Sequence, residues 1–89
     1  MIGICGNEKA SDALVTVDLN TVGISVEVIS KLKGMFGNLM EKSVMEALAE
    51  MKAENAKVTV QDFGALDFII KARTKTAVRR AMSAAGGVK

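Results

Sequence analysis

The sequence has few aromatic residues, and it lacks histidine, proline, tryptophan and tyrosine altogether. With only three Phe, a core must be built from aliphatic side chains and from the six Met, whose flexible side chains fill irregular spaces. Without histidine, neither a His-based catalytic triad nor the ligand spacing of a zinc finger can be assembled. The sequence therefore argues against a conventional hydrolase or metalloenzyme, and we predict no catalytic residue and no metal site.

Cys5 is the single cysteine of the sequence, which excludes a disulfide within the chain. Apolar runs are short, and the N-terminal stretch MIGICGNEK lacks the basic start and the apolar core of a signal peptide. These features predict a cytoplasmic protein without a membrane partner.

The composition is that of a globular protein, because 49% of the residues are apolar and 25% are charged. At 89 residues, we expect one domain spanning residues 1–89. The net charge of +2 is unevenly distributed, since residues 46–89 carry eight basic and five acidic side chains. The second half of the chain therefore provides the positive surface.

Two early segments alternate apolar and polar residues with a period of two, which predicts strands with one solvated face. The first runs from Ala13 to Leu19 and the second from Ile24 to Val28. Because a short polar connection joins them, we predict that they pair as an antiparallel hairpin.

After Ser30 the apolar residues recur at three- and four-residue steps, which predicts an amphipathic helix ending near Asn55. A third strand is predicted over residues 57–62 and a second helix over residues 65–84. The predicted order is β-β-α-β-α, a small two-layer α+β domain with the helices packed on a short sheet. The apolar face predicted for the first helix consists of Leu32, Met35, Phe36, Leu39, Met40, Val44, Ala47, Leu48 and Met51.

The second helix carries five basic residues, which are Lys71, Arg73, Lys75, Arg79 and Arg80. They fit a solvated helix face with cations toward its C-terminal end, and they also fit a site for phosphates. A nucleic-acid-binding domain usually adds exposed aromatic residues for stacking and a higher net charge. We therefore predict no nucleic-acid partner, and we keep a basic-helix module for a polyanion as an alternative.

The segment over residues 60–73 reads VQDFGALDFIIKAR and is followed by AVRRA over residues 77–81. It resembles the citrate lyase acyl carrier protein, or gamma subunit, which carries Asp-x-Gly-Ala-Leu-Asp or -Glu and then an aliphatic stretch ending in Arg-Ala-Arg. The acyl carrier of malonate decarboxylase is similar over Asp62 to Ala65 but lacks the Leu-Asp that follows. The matching residues are Asp62, Gly64, Ala65, Leu66, Asp67, Ala72 and Arg73, with Lys71 in place of the first Arg.

The resemblance implies a non-catalytic acyl carrier subunit of a citrate lyase-type complex, with the malonate decarboxylase carrier as an alternative. In this family a serine is joined to phosphoribosyl dephospho-coenzyme A, whose thiol holds the acetyl or citryl group as a thioester. The implied partners are the alpha subunit, a CoA-transferase; the beta subunit, a lyase; and the holo-carrier synthase that attaches the group. Arg73, Arg79 and Arg80 are then candidates for contact with phosphates or with a partner.

The segment CGNEKASD, from Cys5 to Asp12, matches the N-terminal pattern of the family without a gap. The resemblance implies that residues 1–12 form the prosthetic-group loop, whereas residues 85–89 are predicted to be a mobile tail. The serine that the family modifies corresponds to Ala10, which has no hydroxyl group, and Ser11 follows it. Three explanations stay open: an unmodifiable variant such as a Ser-to-Ala change, attachment at Ser11, or a homologue that carries nothing.

Overall fold

We describe a computed structural model over residues 2–8, 12–31, 33–65 and 67–84. Ala10, Ser11 and the tail over 85–89 lie outside the described residues. The elements follow the order β-β-β-α-β-α, and they are β1 (Ile2–Gly6), β2 (Ala13–Asp18), β3 (Ile24–Ile29), α1 (Lys33–Glu50), β4 (Ala56–Asp62) and α2 (Asp67–Ala84).

The four strands form one sheet in the order β1-β2-β4-β3. β1 pairs antiparallel with β2, β2 pairs antiparallel with β4, and β3 pairs parallel with β4. Both helices contribute buried residues to one core with the sheet. The predicted α+β class is confirmed, and the predicted order of elements lacks one strand, β1.

The predicted antiparallel hairpin of β2 and β3 is wrong, because β4 lies between them. β3, α1 and β4 form a β-α-β unit, and a helical crossover between strands favours their parallel pairing. The connection between β2 and β3 therefore passes the start of β4. There the Gly23 amide donates to Asn55 Oδ1 at 2.8 Å, and the Ala56 amide donates to the Gly23 carbonyl oxygen at 2.9 Å.

The core lies between the helices and one face of the sheet. Alternate strand residues point into it, as the period of two predicts, and buried side chains of both helices cover them. In the strands these residues are Cys5, Ala13, Val15, Val17, Val28, Ala56, Val58 and Val60. In the helices they are Met40, Val44, Ala47, Leu48, Ile70, Ala77, Val78 and Ala81.

The apolar face predicted for α1 is buried over residues 40–48. Leu32 and the side chain of Met35, which also belong to the predicted face, lie outside the described part of the chain. Phe36 and Leu39 are 40% and 53% exposed, so the prediction that they face the core is wrong. Only the later turns of α1 therefore contribute buried side chains among the described residues of this helix.

β1 occupies part of the segment that the sequence predicted as a loop over residues 1–12. Its residues IGICG do not alternate apolar with polar side chains, which removed the usual sequence signal for a strand. Burial nevertheless alternates along β1, since Gly3 and Cys5 are buried whereas Ile2 and Ile4 are half exposed. Within the described ranges, no helix has the length and apolar character needed to cross a membrane.

Candidate prosthetic-group segment

Three connections meet at one end of the sheet, which we call the carboxyl end because β1, β3 and β4 all finish there. The pairing of Gly6 with Leu14, of Leu14 with Gln61 and of Gln61 with Ile29 places these residues in one row across the sheet. The β1–β2, β3–α1 and β4–α2 connections therefore begin or end side by side. In open α/β sheets, crevices beyond the carboxyl ends of the strands are common ligand sites.

Asp12 is the last residue of the β1–β2 connection, and its carboxylate organises the residues around it. The Asn7 side-chain amide donates to Asp12 Oδ2 at 2.8 Å, and the Ala13 main-chain amide donates to Oδ1 at 2.7 Å. In addition, the Asp12 carbonyl oxygen accepts a hydrogen bond from the Phe63 amide at 2.9 Å. Asp12 thus joins both ends of its own connection to the turn after β4.

Arg73 of α2 reaches the same carboxylate across 61 residues of sequence. Its Nε lies 3.2 Å from Asp12 Oδ1 and its Nη2 lies 3.0 Å from Oδ2, so the guanidinium binds both oxygens. The remaining terminal nitrogen, Nη1, lies 3.9 Å from Sγ of Cys5. The Ala13 amide and the Arg73 guanidinium hold the pKa of the Asp12 carboxyl below its ordinary value of 3.8. Asp12 is therefore ionised at neutral pH.

Asp62 plays a similar role at the end of β4. Its Oδ1 accepts hydrogen bonds from the Gly64 amide at 3.2 Å and the Ala65 amide at 2.9 Å, and its Oδ2 accepts one from Ser30 Oγ at 2.8 Å. Gly64 adopts a φ of +99°, a backbone conformation that residues other than glycine rarely adopt. Asp62 thereby fixes the turn into α2 and links it to the connection that leads into α1.

An open cleft of about 940 Å³ lies beside these groups at the carboxyl end of the sheet. Its walls are mainly apolar, and they carry one acidic and one basic side chain from the connections, Glu8 and Lys31. Glu8 is the described residue that directly precedes residues 9–11 in the sequence. Its lining residues are Glu8, Ile29, Ser30, Lys31, Gln61, Asp62, Phe63 and Gly64.

The predicted site residues have different surroundings. Ser11 and Ala10 lie outside the described residues. Arg73 is bound to Asp12, and Arg80 donates from Nη1 to the Ile4 carbonyl oxygen at 2.7 Å. Arg79 is exposed, and its side chain has no hydrogen bond or ion pair within the described part of the chain.

The other two cations of α2 form ion pairs with α1. Lys71 and Lys75 both contact the carboxylate of Glu50, and this shared pairing lowers the pKa of Glu50 to about 2. Three of the five basic residues of α2 are therefore engaged by carboxylates of the chain itself. Among the residues described, no group of three or more His, Cys, Asp or Glu side chains could hold a metal ion.

Comparison with known proteins identifies the family of this chain. The family model for the malonate decarboxylase delta subunit, an acyl carrier protein model, matches residues 2–81. The citrate lyase acyl carrier protein of Fusobacterium nucleatum is 42% identical over 81 residues, which is 90% of this chain and 86% of that protein. This chain belongs to the citrate lyase acyl carrier protein family.

Two further members of the family show the same extent of similarity. The citrate lyase acyl carrier proteins of Lactococcus lactis and Halothermothrix orenii are 41% and 39% identical to this chain. The matches cover 91% and 90% of this chain and 84% and 85% of those relatives, respectively. The resemblance read from the sequence is therefore confirmed.

Described residues of both family motifs meet at the carboxyl end of the sheet. Asp12 ends the N-terminal motif, whereas Asp62 and Arg73 belong to the motif in the second half of the chain. All three residues match the family pattern, but the sequence assigns no role to Asp12 or Asp62. The available signal was that each of the three residues belongs to one of the two motifs. The contact between Asp12 and Arg73 shows that residues of both motifs meet in the folded chain.

Proposed function

We propose that this chain is the acyl carrier subunit of a citrate lyase-type complex. The observation that carries the proposal is the similarity to citrate lyase acyl carrier proteins over about nine-tenths of the chain. A carrier of this kind catalyses no bond change itself. It holds a tethered acyl group so that its effective concentration is high in the active sites of its partners.

The prosthetic group that we propose is phosphoribosyl dephospho-coenzyme A, bound covalently in the β1–β2 connection. The described residues leave room for such a group, because the exposed Glu8 borders an open cleft that also carries the cation of Lys31 on its wall. When bound, the group would supply a thiol for carrying acetyl or citryl as a thioester. The contribution of the chain is to hold the connection in place through Asp12 and to keep the neighbouring surface open.

The attachment residue that we propose is Ser11. The family position falls on Ala10, and a methyl group cannot form a phosphodiester. Ser11, the residue next to that position, carries a hydroxyl group. It directly precedes Asp12, whose contacts order the end of the connection. An exposed connection on a rigid sheet is a common setting for a functional residue.

The partners that we propose are the alpha and beta subunits, a CoA-transferase and a lyase, and the holo-carrier synthase. Arg79 and Arg80 are candidates for contact with an acidic partner surface, since both are exposed on α2. Charge complementarity of this kind increases the rate and specificity of association. The cytoplasmic location stays a prediction from the sequence.

Intact mass spectrometry after co-expression with the holo-carrier synthase tests the proposal. We expect the chain to gain the mass of one prosthetic group, and Ser11→Ala to gain none. Ser25→Ala is the matched control, because Ser25 is an exposed serine on β3, and it should be modified like the original chain. An unmodified original chain, together with a modified Ala10→Ser variant, would exclude Ser11 as the attachment residue.

The acyl carrier subunit of malonate decarboxylase is a second candidate function. It is favoured by the match of residues 2–81 to a family model with that description. The two functions differ in the acyl group that is delivered, so the acetylated carrier can be incubated with citrate or malonate and the transferase subunit of the corresponding complex. Mass spectrometry then shows whether the acetyl group is exchanged for a citryl or a malonyl group, with release of acetate.

A basic-helix module for polyanions has less support than either carrier function. Lys71, Lys75 and Arg73 each contact a carboxylate of the chain, so the free positive surface is smaller than the sequence suggests. Binding to a nucleic acid should therefore be weak and should disappear at moderate salt.

A further inference from the structure

We propose that Arg73 is a positioning residue, which fixes Asp12 and thereby the end of the β1–β2 connection to helix α2. The inference rests on the proposed function for the role of that connection as the attachment segment. From the family resemblance, Arg73 is a candidate for contact with phosphates or with a partner. The structure points instead to a role within the chain.

The guanidinium group of Arg73 is largely committed to Asp12. Nε and Nη2 each contact one carboxylate oxygen, at 3.2 and 3.0 Å, and Nη1 faces Cys5 Sγ at 3.9 Å. This two-point contact restricts orientation as well as distance, which a lysine could not reproduce. The donors that would bind a phosphate are the same donors that hold Asp12.

Asp12 is well placed to pass this restraint to the connection. Its carboxylate also accepts hydrogen bonds from Asn7, at the start of the connection, and from the Ala13 amide, where β2 begins. Its carbonyl oxygen accepts the Phe63 amide from the turn before α2. Fixing one residue therefore fixes both ends of the connection and its position relative to a second turn.

The support beneath Arg73 is rigid. Ile70, Thr74 and Ala77, which surround it on α2, are fully buried, and Thr74 Oγ1 donates to the Ile70 carbonyl oxygen at 2.8 Å. The side chains of the ion pair are 37% exposed for Arg73 and 15% exposed for Asp12. The contact is thus held by the packed core on one side and borders solvent on the other. Functional groups keep their geometry best when rigid elements support them in this way.

Amide hydrogen exchange measured by NMR tests the restraint without requiring any prosthetic group. In Arg73→Gln we expect the Ala13 and Phe63 amides to exchange roughly fivefold faster, because a partly exposed charge-assisted contact has been lost. The Val60 amide of the central strand β4 serves as the internal reference for global unfolding and should be unchanged. Arg79→Gln is the matched control, since Arg79 lies on the same helix without a partner in the described ranges.

A double-mutant cycle assigns the effect to the contact itself. Asp12→Asn should increase the exchange of the Phe63 amide as Arg73→Gln does, and combining the two changes should add little. Arg73→Lys should recover only part of the protection, because it restores the charge and not the two-point contact. Equal exchange of Ala13 and Phe63 in Arg73→Gln and Arg79→Gln would overturn the proposal, as would fully additive effects.

The rate of attachment by the holo-carrier synthase links the restraint to function. We expect Arg73→Gln to be modified several-fold more slowly than the original chain when both are fully folded at the assay temperature, with Arg73→Lys between them. Equal rates for Arg73→Gln and the original chain would overturn the positioning role. If no variant and no original chain is modified, the proposed attachment fails, whereas the exchange data still decide whether Arg73 restrains Asp12.

Discussion

Gly3 of β1 packs directly on the backbone of Ala77 in α2. A Cβ atom added at Gly3 would lie 1.9 Å from the Ala77 carbonyl oxygen and 2.4 Å from the Ala81 nitrogen. Neither atom belongs to a flexible side chain, so the strand or the helix would have to move. This close approach brings β1 onto α2, and it is one reason why Cys5 and Arg73 come within contact distance.

We therefore predict that Gly3→Ala destabilises the protein by roughly 1–3 kcal/mol, the usual cost of overfilling a packed interface. The free energy of unfolding can be measured by urea titration followed by circular dichroism. A change below about 0.5 kcal/mol, the range of ordinary surface substitutions, would contradict the close packing.

Gly34→Ala provides the control, with an effect of the opposite sign. Gly34 lies in α1, and a Cβ atom there would meet no other atom within 4 Å. Because alanine is a better helix former than glycine, this substitution should increase the free energy of unfolding by roughly 0.5–1 kcal/mol. The same chemical change is thus expected to destabilise at Gly3 and to stabilise at Gly34.

Asp62 is predicted to be the more important of two strand-end aspartates for stability. Its carboxylate accepts three hydrogen bonds, from Gly64, Ala65 and Ser30, and it is nearly buried. Asp62→Ala should lower the free energy of unfolding by roughly 1–3 kcal/mol, because three partly buried donors lose their acceptor. Asp62→Asn should cost less, since its carbonyl oxygen can still accept the two amides.

Asp18→Ala is the matched control for Asp62. Asp18 also ends a strand and also accepts the amide two residues ahead, that of Asn20, but this hydrogen bond is exposed. Its loss should cost no more than about 0.5 kcal/mol. Equal costs at Asp18 and Asp62 in urea titrations would show that the network around Asp62 adds nothing.

The local elements of this fold were predictable from the sequence, whereas the pairing of the strands was not. The alternation of apolar and polar residues predicted β2 and β4, because each strand has one buried face. The change to three- and four-residue spacing predicted both helices. The same alternation does not show which strands are adjacent in the sheet, so β2 and β3 were predicted to pair as a hairpin although β4 lies between them. Strand order depends on the crossover through α1, a long-range property of the chain.

The candidate site was predictable only in part for the same reason. The family motifs brought Asp12, Asp62 and Arg73 to attention, yet spacing along the chain could not show that Asp12 and Arg73 touch. The exposure of Phe36 and Leu39 was also missed. Helical periodicity identifies the apolar face of a helix, but it does not show over which turns the rest of the protein covers that face. The positioning role that we propose for Arg73 depends on this contact, which the sequence does not show.

The ion pairs of Glu50 with Lys71 and Lys75 predict a specific response to acid. They lower the pKa of Glu50 from its ordinary value of 4.5 to about 2, so their stabilisation is complete above pH 4.5 and is lost as the pH falls toward 2. Glu50→Gln should therefore lose less stability than the original chain between pH 5 and pH 2, in urea titrations at each pH. Because the side chains are partly exposed, added salt should reduce the difference.

Glu54→Gln is the control for this prediction. Glu54 is exposed, follows α1 and has no ion pair among the described residues, so the variant should keep the acid response of the original chain. If Glu50→Gln loses as much stability as Glu54→Gln over this range, the pairing of α1 with α2 through Glu50 does not contribute to folding.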